Sequence, residues 1–345
     1  MSTVHFVLPN DIDDPAAPSG GNVYDRRVSN GLTAAGWTVR EHALSGDWPQ
    51  PDAAARAALA AQLAALPDDA LVLLDGLVAS AVPDVLRPHA WRLRLVALVH
   101  MPIGGGAETE ALSLAAAIVT PSAWSRHRLL DLHPLAPATV HIAPPGVDGA
   151  PLVPGTPGGT NLLCVAAVTP GKGHDRLVAA LARVHDLDWR CVCVGSLTRD
   201  PDFVHQVRSQ AGAIGDRVEL VGPRTGIALE ASYAAADLLV LATRSETYGM
   251  VATEALARGI PVLATSVGGL PEAMGRAPDG RVPGLLVPGD GLGPALRYWL
   301  TDAALREELR RSAVLRRSTL TTWAETTRLI GEVLARTRTK VDSRR

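Results

Sequence analysis

The residues best suited to chemistry in this 345-residue sequence lie in two short runs. The first is Thr169-Pro170-Gly171-Lys172-Gly173-His174-Asp175, after an apolar stretch at 161–168 and ahead of an Ala/Leu stretch that reads as a helix. Glycines such as Gly171 and Gly173 let backbone N–H groups approach an anion, and a following helix N-terminus adds positive potential. Lys172 adds a full charge. The chain holds 31 Arg and only two Lys, the other being Lys340 near the C-terminus. A compact ammonium suits a phosphate that changes charge during a reaction, where a planar guanidinium would be bulkier. The plain alternative is a turn carrying a solvated lysine. The spacing is not that of a GxxxxGK[ST] phosphate loop.

The second run is Arg244-Ser245-Glu246-Thr247-Tyr248-Gly249-Met250-Val251-Ala252-Thr253-Glu254, with a helix expected to start near Tyr248 or Gly249. A helix rises about 1.5 Å per residue, so the step from Glu246 to Glu254 spans on the order of 12 Å at most. Carboxylates that far apart cannot share a metal or act as a hydrolytic pair on one bond. They can hold two ends of an extended ligand while the helix N-terminus faces an anion lying along it. Acids at a helix start would also occur simply to complement its dipole.

The elements that must position these runs follow from an alternation of apolar and Ala/Leu-rich segments. Apolar runs at 5–9, 37–42, 70–75, 93–100, 117–120 and 139–143 read as strands, with helices near 20–35, 53–66, 106–115 and 122–132. Residues 144–160 then pack five prolines and five glycines into a linker. Beyond it, strands are expected at 161–168, 189–195, 217–222, 238–242, 261–265 and 284–288, with helices near 174–186, 202–213, 227–236, 249–258 and 269–275. Helical sequence continues from about 293 to 338, and a last helix at 320–340 is expected to pack back on the first domain. Continuous apolar strands separated by helices imply parallel sheets with right-handed crossovers. The expectation is α/β with two doubly wound, Rossmann-like domains, residues 1–150 and 151–319. Single cores stop growing near roughly 250–300 residues, which also favours two.

Composition excludes several classes. No apolar run approaches the roughly 20 residues needed to cross a bilayer. The N-terminus MSTVHFVLPNDIDD lacks a basic segment followed by an apolar one, so it reads as a first strand, and a cytoplasmic location is expected. Cys164, Cys191 and Cys193 all fall in strand-like runs, where a thiol acts as a small hydrophobe. Their count and spacing exclude a disulfide framework, a zinc ribbon and an iron–sulfur site. Residues 1–150 carry 9 Lys+Arg against 15 Asp+Glu, which argues against nucleic acid as a partner. Residues 306–345 carry 11 against 5, a solvated helix face or a peripheral contact with an anionic membrane surface.

The run from Ser245 to Glu272, S-E-T-Y-G-M-V-x-x-E-A-L-A-x-G-x-P-V-L-A-T-x-V-G-G-L-P-E, resembles the C-terminal domain of retaining GT-B glycosyltransferases of family 4. Further pieces fall in the family's order: Gly20-Gly21, Pro121-Ser122, Ala143-Pro144-Pro145-Gly146-Val147-Asp148, the Lys172 loop, Ala236-Asp237 and Gly284-Leu285-Leu286-Val287-Pro288-Gly289-Asp290. The resemblance covers about 4 to 310 and implies two facing domains with a cleft. It implies that Glu246 contacts the hydroxyls of the donor sugar and Glu254 the nucleotide ribose. Backbone at Tyr248, Gly249, Met250 and Val251 would meet the diphosphate or sugar, and Lys172 would neutralise the leaving phosphates. Gly20 and Gly21 would let the first loop lie near those phosphates, and His100 would reach the transferred sugar. One departure stands out. The family's Arg five residues before the loop lysine is Ala167 here, within Ala166-Ala167, and Arg224 and Arg244 are the candidates to replace it.

The reaction so implied is transfer of a sugar from a nucleotide-diphosphate sugar, UDP- or GDP-linked, to a hydroxyl acceptor with retention, on the front face and without a metal or other cofactor. The departing phosphate oxygen would take the acceptor's proton, so no separate base is required. Two other readings use the same residues: a non-catalytic nucleotide-sugar binder, suggested by the missing Arg, and an epimerase of the same fold. A pyridoxal-dependent phosphorylase is disfavoured because Lys172 is the only lysine outside the tail. The acceptor is expected to be set by the first domain's loops at 10–22, 76–83 and 101–110. These offer no cluster of Arg for a phosphorylated group, which favours a small molecule, glycan or natural product.

Overall fold

A computed structural model describes residues 2–15 and 18–339. The chain divides into two compact units, the first built from residues up to Asp14, from Ser19–Gly146 and from Thr321 onward, the second from Pro15–Pro18 and Val147–Leu320.

In the first unit the order is β1 (Thr3–Pro9), α1 (Gly20–Ala34), β2 (Thr38–Leu44), α2 (Ala53–Ala64), β3 (Leu71–Asp75), α3 (Gly76–Ala79), α4 (Pro83–Leu86), β4 (Arg94–Leu98), α5 (Gly106–Leu114), β5 (Ala117–Thr120), α6 (Ala123–Leu132) and β6 (Val140–Ile142). The strands form one parallel sheet in the order β2-β1-β3-β4-β5-β6. Both faces are covered: Val72 and Leu74 enter one core, Leu71 and Leu73 the other. That is why the strands read as unbroken apolar runs. The segment 76–83, expected as a loop, is instead largely helical. Asp75 accepts from the amides of Leu77 (2.8 Å) and Val78 (3.4 Å) and so starts α3 directly at the strand's end.

The second unit runs β7 (Asn161–Val165), α7 (His174–Ala182), β8 (Arg190–Val194), α8 (Pro201–Gly212), β9 (Val218–Gly222), α9 (Gly226–Ala234), β10 (Leu238–Leu241), α10 (Met250–Ala257), β11 (Val262–Thr265), α11 (Leu270–Met274), β12 (Gly284–Val287), α12 (Leu292–Thr301) and α13 (Ala303–Arg316). Its sheet is also parallel, in the order β12-β11-β10-β7-β8-β9. The Pro/Gly-rich entry to this unit is pinned by the buried Asp237 carboxylate. It accepts from the Asn161 amide (2.9 Å) and the Thr156 hydroxyl (2.7 Å) and pairs with Arg310 (2.9 Å).

The helical sequence from 293 onward is broken twice. Asp302 caps α13 by accepting from Leu305 N (2.9 Å), and a turn at 317–322 precedes α14 (Trp323–Thr339). α14 belongs to the first unit, where Ile330, Val333 and Leu334 join the core of Phe6, Tyr24, Val28 and Leu32. Gly31 permits this contact, since a Cβ there would lie 2.1 Å from the Thr327 hydroxyl. Lys340 and the residues after it lie outside the described part of the chain. No described helix is long and apolar enough to cross a membrane.

Candidate active site

Ligands of open α/β sheets bind beyond the strands' carboxyl ends, where the strand order reverses. In the second unit that point falls between β7 and β10. The two runs singled out above leave these two strands and are stitched together. The Thr243 hydroxyl reaches the carbonyls of Gly171 (2.9 Å) and Ser245 (2.7 Å), and Arg244 N donates to the Gly171 carbonyl (2.8 Å). The Arg244 guanidinium binds the Pro170 carbonyl (2.6 Å) and both carboxylate oxygens of Asp175 (2.8 and 2.6 Å). Gly173 has φ +69° and backs onto Ala242, whose carbonyl oxygen a Cβ would meet at 2.1 Å. No other residue fits there. As a result, Lys172 Nζ lies 2.6 Å from Glu246 Oε2, although 74 residues separate them. The lysine side chain is 35% exposed and the glutamate 16%, so the pair is reachable from solvent. Gly268 sits under Glu246, whose carbonyl accepts from Gly269 N (2.9 Å).

α10 begins at Met250, slightly later than expected, with Gly249 as its cap at φ +103° and no side chain satisfying its first turn. Such a helix start favours an anion. Tyr248 is buried, its hydroxyl pushed up to about 12 by that burial, and Met250 and Val251 are half-buried. Glu254 accepts from the Tyr233 hydroxyl (2.7 Å) through Oε2. Burial raises its pKa, with the Tyr233 hydrogen bond and the Arg258 charge opposing.

Neither candidate for the missing arginine is simply available. Arg244 is spent on Asp175, while Arg224 donates to the Ser232 hydroxyl (2.9 Å). Near Ala167 the backbone is tight, because a Cβ on Gly195 would lie 1.9 Å from the Ala166 carbonyl oxygen. Three Asp-x-Asp triplets occur, at 11–13, 186–188 and 200–202. Each is engaged structurally: Asp13 pairs with Arg26 (2.6 Å), Asp186 pairs with Arg297 (2.7 Å), and Asp200 caps α8 through Phe203 N (3.0 Å).

In the first unit His100 follows β4, and its ring packs edge-on against Tyr24 (5.0 Å between centroids). Gly20 and Gly21 open α1 behind the Ser19 cap, and Gly21 leaves room for the His100 ring, which a Cβ would approach to 3.3 Å. His100 Nε2 lies 2.6 Å from Asp25 Oδ1 and 3.7 Å from Asp75 Oδ2. The Asp25 contact fixes a proton on Nε2 and leaves Nδ1 as the acceptor in the neutral ring. Burial works to lower the His100 pKa, but Asp25 and then Asp75 outweigh it and raise it. Asp75 is pushed up to about 7 by burial and then by the Asp25 charge, with His100 opposing. Sequence reasoning missed Asp25 and Asp75. The available signals were an aspartate at a strand's last position and another one helical turn after Gly21.

A carboxyl raised in this way keeps its proton in the folded state over the range, from about 4 to about 7, where the unfolded chain has released it. Stability from Asp75 is therefore present at the acid end and lost as pH rises through 7; the raised His100 changes in the same direction. Asp75→Asn, which can still accept from Leu77 N, should raise Tm at pH 8 by roughly 2–4 °C, the shift worth about 1 kcal/mol in a unit of this size. The gain should vanish at pH 5. A pH-independent difference in scanning fluorimetry would refute the assignment.

Among the described residues, two groups have metal-ligand types whose ligand atoms lie within 4.8 Å of one another: Asp25, Asp75 and His100, and the buried Cys164, His174 and Cys193. In the second, the hydrogen bond with Cys193 and burial hold the Cys164 pKa well up, which suits a packed thiol more than a ligand.

Residues 159–302 match the family described as glycosyl transferases group 1. Curated relatives include D-inositol 3-phosphate glycosyltransferase of Stackebrandtia nassauensis, 32% identical over 243 residues, covering 64% of this chain and 54% of the relative. D-inositol 3-phosphate glycosyltransferase 1 of Catenulispora acidiphila is 34% identical over 234 residues, covering 62% and 54%. The chain thus spans about half the length of these relatives. Among solved structures, sucrose-phosphate synthase of Thermosynechococcus elongatus matches with a TM-score of 0.75 at 21% identity, covering 97% of this chain and 99% of that one. Anabaena HepE in complex with UDP-glucose matches with a TM-score of 0.74 at 16% identity, covering 97% and 100%. Residues 159–302 of the second unit thus match the glycosyl transferases group 1 family, and the chain as a whole shares the fold of these solved structures.

Proposed function

We propose that this chain is a retaining glycosyltransferase that moves a sugar from a nucleotide-diphosphate sugar to a hydroxyl acceptor, on the front face and without a metal. The observation that carries the reading is the Lys172–Glu246 contact at the reversal point of the second sheet. An arriving diphosphate competes with Glu246 for the ammonium, which turns that carboxylate toward the sugar hydroxyls. The sugar–phosphate C–O bond then breaks, the acceptor oxygen bonds the same carbon on the same face, and the acceptor proton passes to the departing phosphate oxygen. Stabilising charge on that oxygen is the protein's main task, supplied by Lys172 and the start of α10. His100, oriented by Asp25, accepts from a sugar hydroxyl, and Glu254 accepts from the ribose. The donor is a UDP- or GDP-sugar; HepE has been solved with UDP-glucose.

A thermal-shift screen of UDP-, GDP-, ADP- and TDP-sugars, followed by turnover with the stabilising donor in the presence of EDTA, tests this. One donor should stabilise the chain and be consumed at an EDTA-independent rate with a product that keeps the donor's anomeric configuration. A rate abolished by EDTA, or an inverted product, would overturn the mechanism. The commitment of Arg244 to Asp175 favours a second reading, a nucleotide-sugar binder without catalysis. Tight donor binding with no hydrolysis or transfer would establish that instead.

A further inference from the structure

The segment after β4, His100-Met101-Pro102-Ile103-Gly104-Gly105, is held open by a buried carboxylate outside the site described so far. Glu108 in α5 is 1% exposed and accepts from Ile103 N (3.0 Å), Gly104 N (2.5 Å), the Ser80 hydroxyl (3.0 Å) and His133 Nε2 (3.0 Å). The His133 ring is fully buried and fixed at its other nitrogen by the Thr109 hydroxyl (2.7 Å). Glycines at φ +84° and +91° complete the turn. This anchoring leaves Met101 57% and Ile103 46% exposed, an arrangement that a slack loop would avoid by folding those side chains inward.

Other exposed apolar side chains lie on segments at the same sheet edge. Trp124, 37% exposed, is in the first turn of α6 after β5, and β5 pairs with β4. Val23, 41% exposed, precedes Tyr24, which touches the His100 ring. The loops and turns at this edge are poor in lysine and arginine. Residues 76–83, 101–110 and 121–125 contain no Lys or Arg. Arg126 is turned onto the carbonyls of Val140 (2.9 Å) and Pro137 (2.8 Å), and Arg26 is paired with Asp13 and Glu41 (both 2.6 Å). Beyond β1 and β2 the edge is acidic, with a cavity of about 340 Å³ lined by Asn10, Asp11, Gly46, Asp47, Gln50 and Asp52. A phosphate needs cationic forks or ammonium groups to replace its hydration. This edge offers carboxylates and bare hydrocarbon.

We infer that the edge around Met101, Ile103 and Trp124 reads the acceptor, and that the acceptor is an unphosphorylated molecule presenting its hydroxyl on an alkyl or aromatic body. The inference rests on the glycosyltransferase reading above and separates this chain from relatives named for D-inositol 3-phosphate. The test uses the full chain with the donor found by the screen. A panel of aryl and alkyl alcohols, 2-naphthol and 4-methylumbelliferone among them, is compared with D-inositol 3-phosphate. The best aromatic or alkyl alcohol should exceed the phosphate in kcat/KM by at least about 10²-fold. Met101→Ser with Ile103→Ser should raise the KM of that alcohol roughly tenfold and leave the donor KM unchanged. Both residues are exposed, so the variant should fold. Preference for D-inositol 3-phosphate, no alcohol used at all, or an unchanged acceptor KM in the double variant would overturn the inference. Binding of the screened donor's nucleoside diphosphate by calorimetry and acceptor-free donor hydrolysis report separately on the underlying reading. Their persistence with a phosphate-preferring enzyme sinks only the acceptor class, while loss of both sinks the reading itself.

Discussion

Lys172→Ala should lower turnover by about 10²–10³, the size typical of removing one preorganised electrostatic stabiliser from a developing oxyanion. The loss belongs in kcat more than in donor KM, because negative charge on the leaving phosphate grows as the sugar–phosphate bond stretches. The geometry gives a reason for a lysine in a chain otherwise built on arginine. Nζ sits 2.6 Å from Glu246, in a loop whose backbone is fixed by Thr243, Arg244 and the left-handed Gly173. A guanidinium brought to the same place would reach past Glu246 and spread its charge over a plane, so Lys172→Arg should recover only part of the activity. Stability is a clean control. A partly exposed pair of this kind contributes about 0–1 kcal/mol, so Tm should move little while turnover collapses. Steady-state kinetics with the stabilising donor decides the matter, and a wild-type rate in the alanine variant would remove Lys172 from the mechanism.

How far the sequence disclosed this arrangement depends on which contacts are local. Strands buried on both faces must be apolar throughout, so each run from 5–9 to 284–288 became a strand in the structure. The Lys172 and Glu246 runs were legible because each carries its chemistry within a dozen residues, next to a glycine-marked helix start. Alternation alone does not give strand order, and the supports of His100 depend on that order. Asp75 ends β3, His100 follows β4 beside it, and Asp25 reaches both from α1. The same limit hid the role of Arg244. Its partner Asp175 lies 69 residues earlier, and only the adjacency of β7 and β10 shows that the guanidinium braces the Lys172 loop, where the sequence suggested a substitute for the residue at Ala167. Residues 76–83 read as a loop because their small apolar composition carries no helical period. What makes a helix there is Asp75, placed at the strand's last position to cap it.

Glu254→Gln should weaken binding of the nucleotide alone by roughly 10–100-fold, the range for losing a hydrogen bond to a charged acceptor. Glu254 lies in α10 and spends Oε2 on the Tyr233 hydroxyl, which leaves Oε1 to accept from a ribose. Glutamine keeps an oxygen for Tyr233 but gives up the charge that would draw in two adjacent ribose hydroxyls. Alanine would in addition strand the Tyr233 hydroxyl, which is 1% exposed, so the amide separates binding from folding more cleanly. Stability should move the other way. Burial raises the carboxyl's pKa, so its stabilising proton is held in acid and lost as pH rises through the folded value. At pH 8 the glutamine variant should therefore match or exceed the wild type in Tm while binding UDP more weakly. Affinity itself should fall in the wild type as pH is lowered through that raised pKa, because protonation removes the acceptor, and should be flat in the variant. Calorimetry with UDP across pH 5 to 8 reads both effects, and equal affinity in the two proteins would detach Glu254 from the ribose.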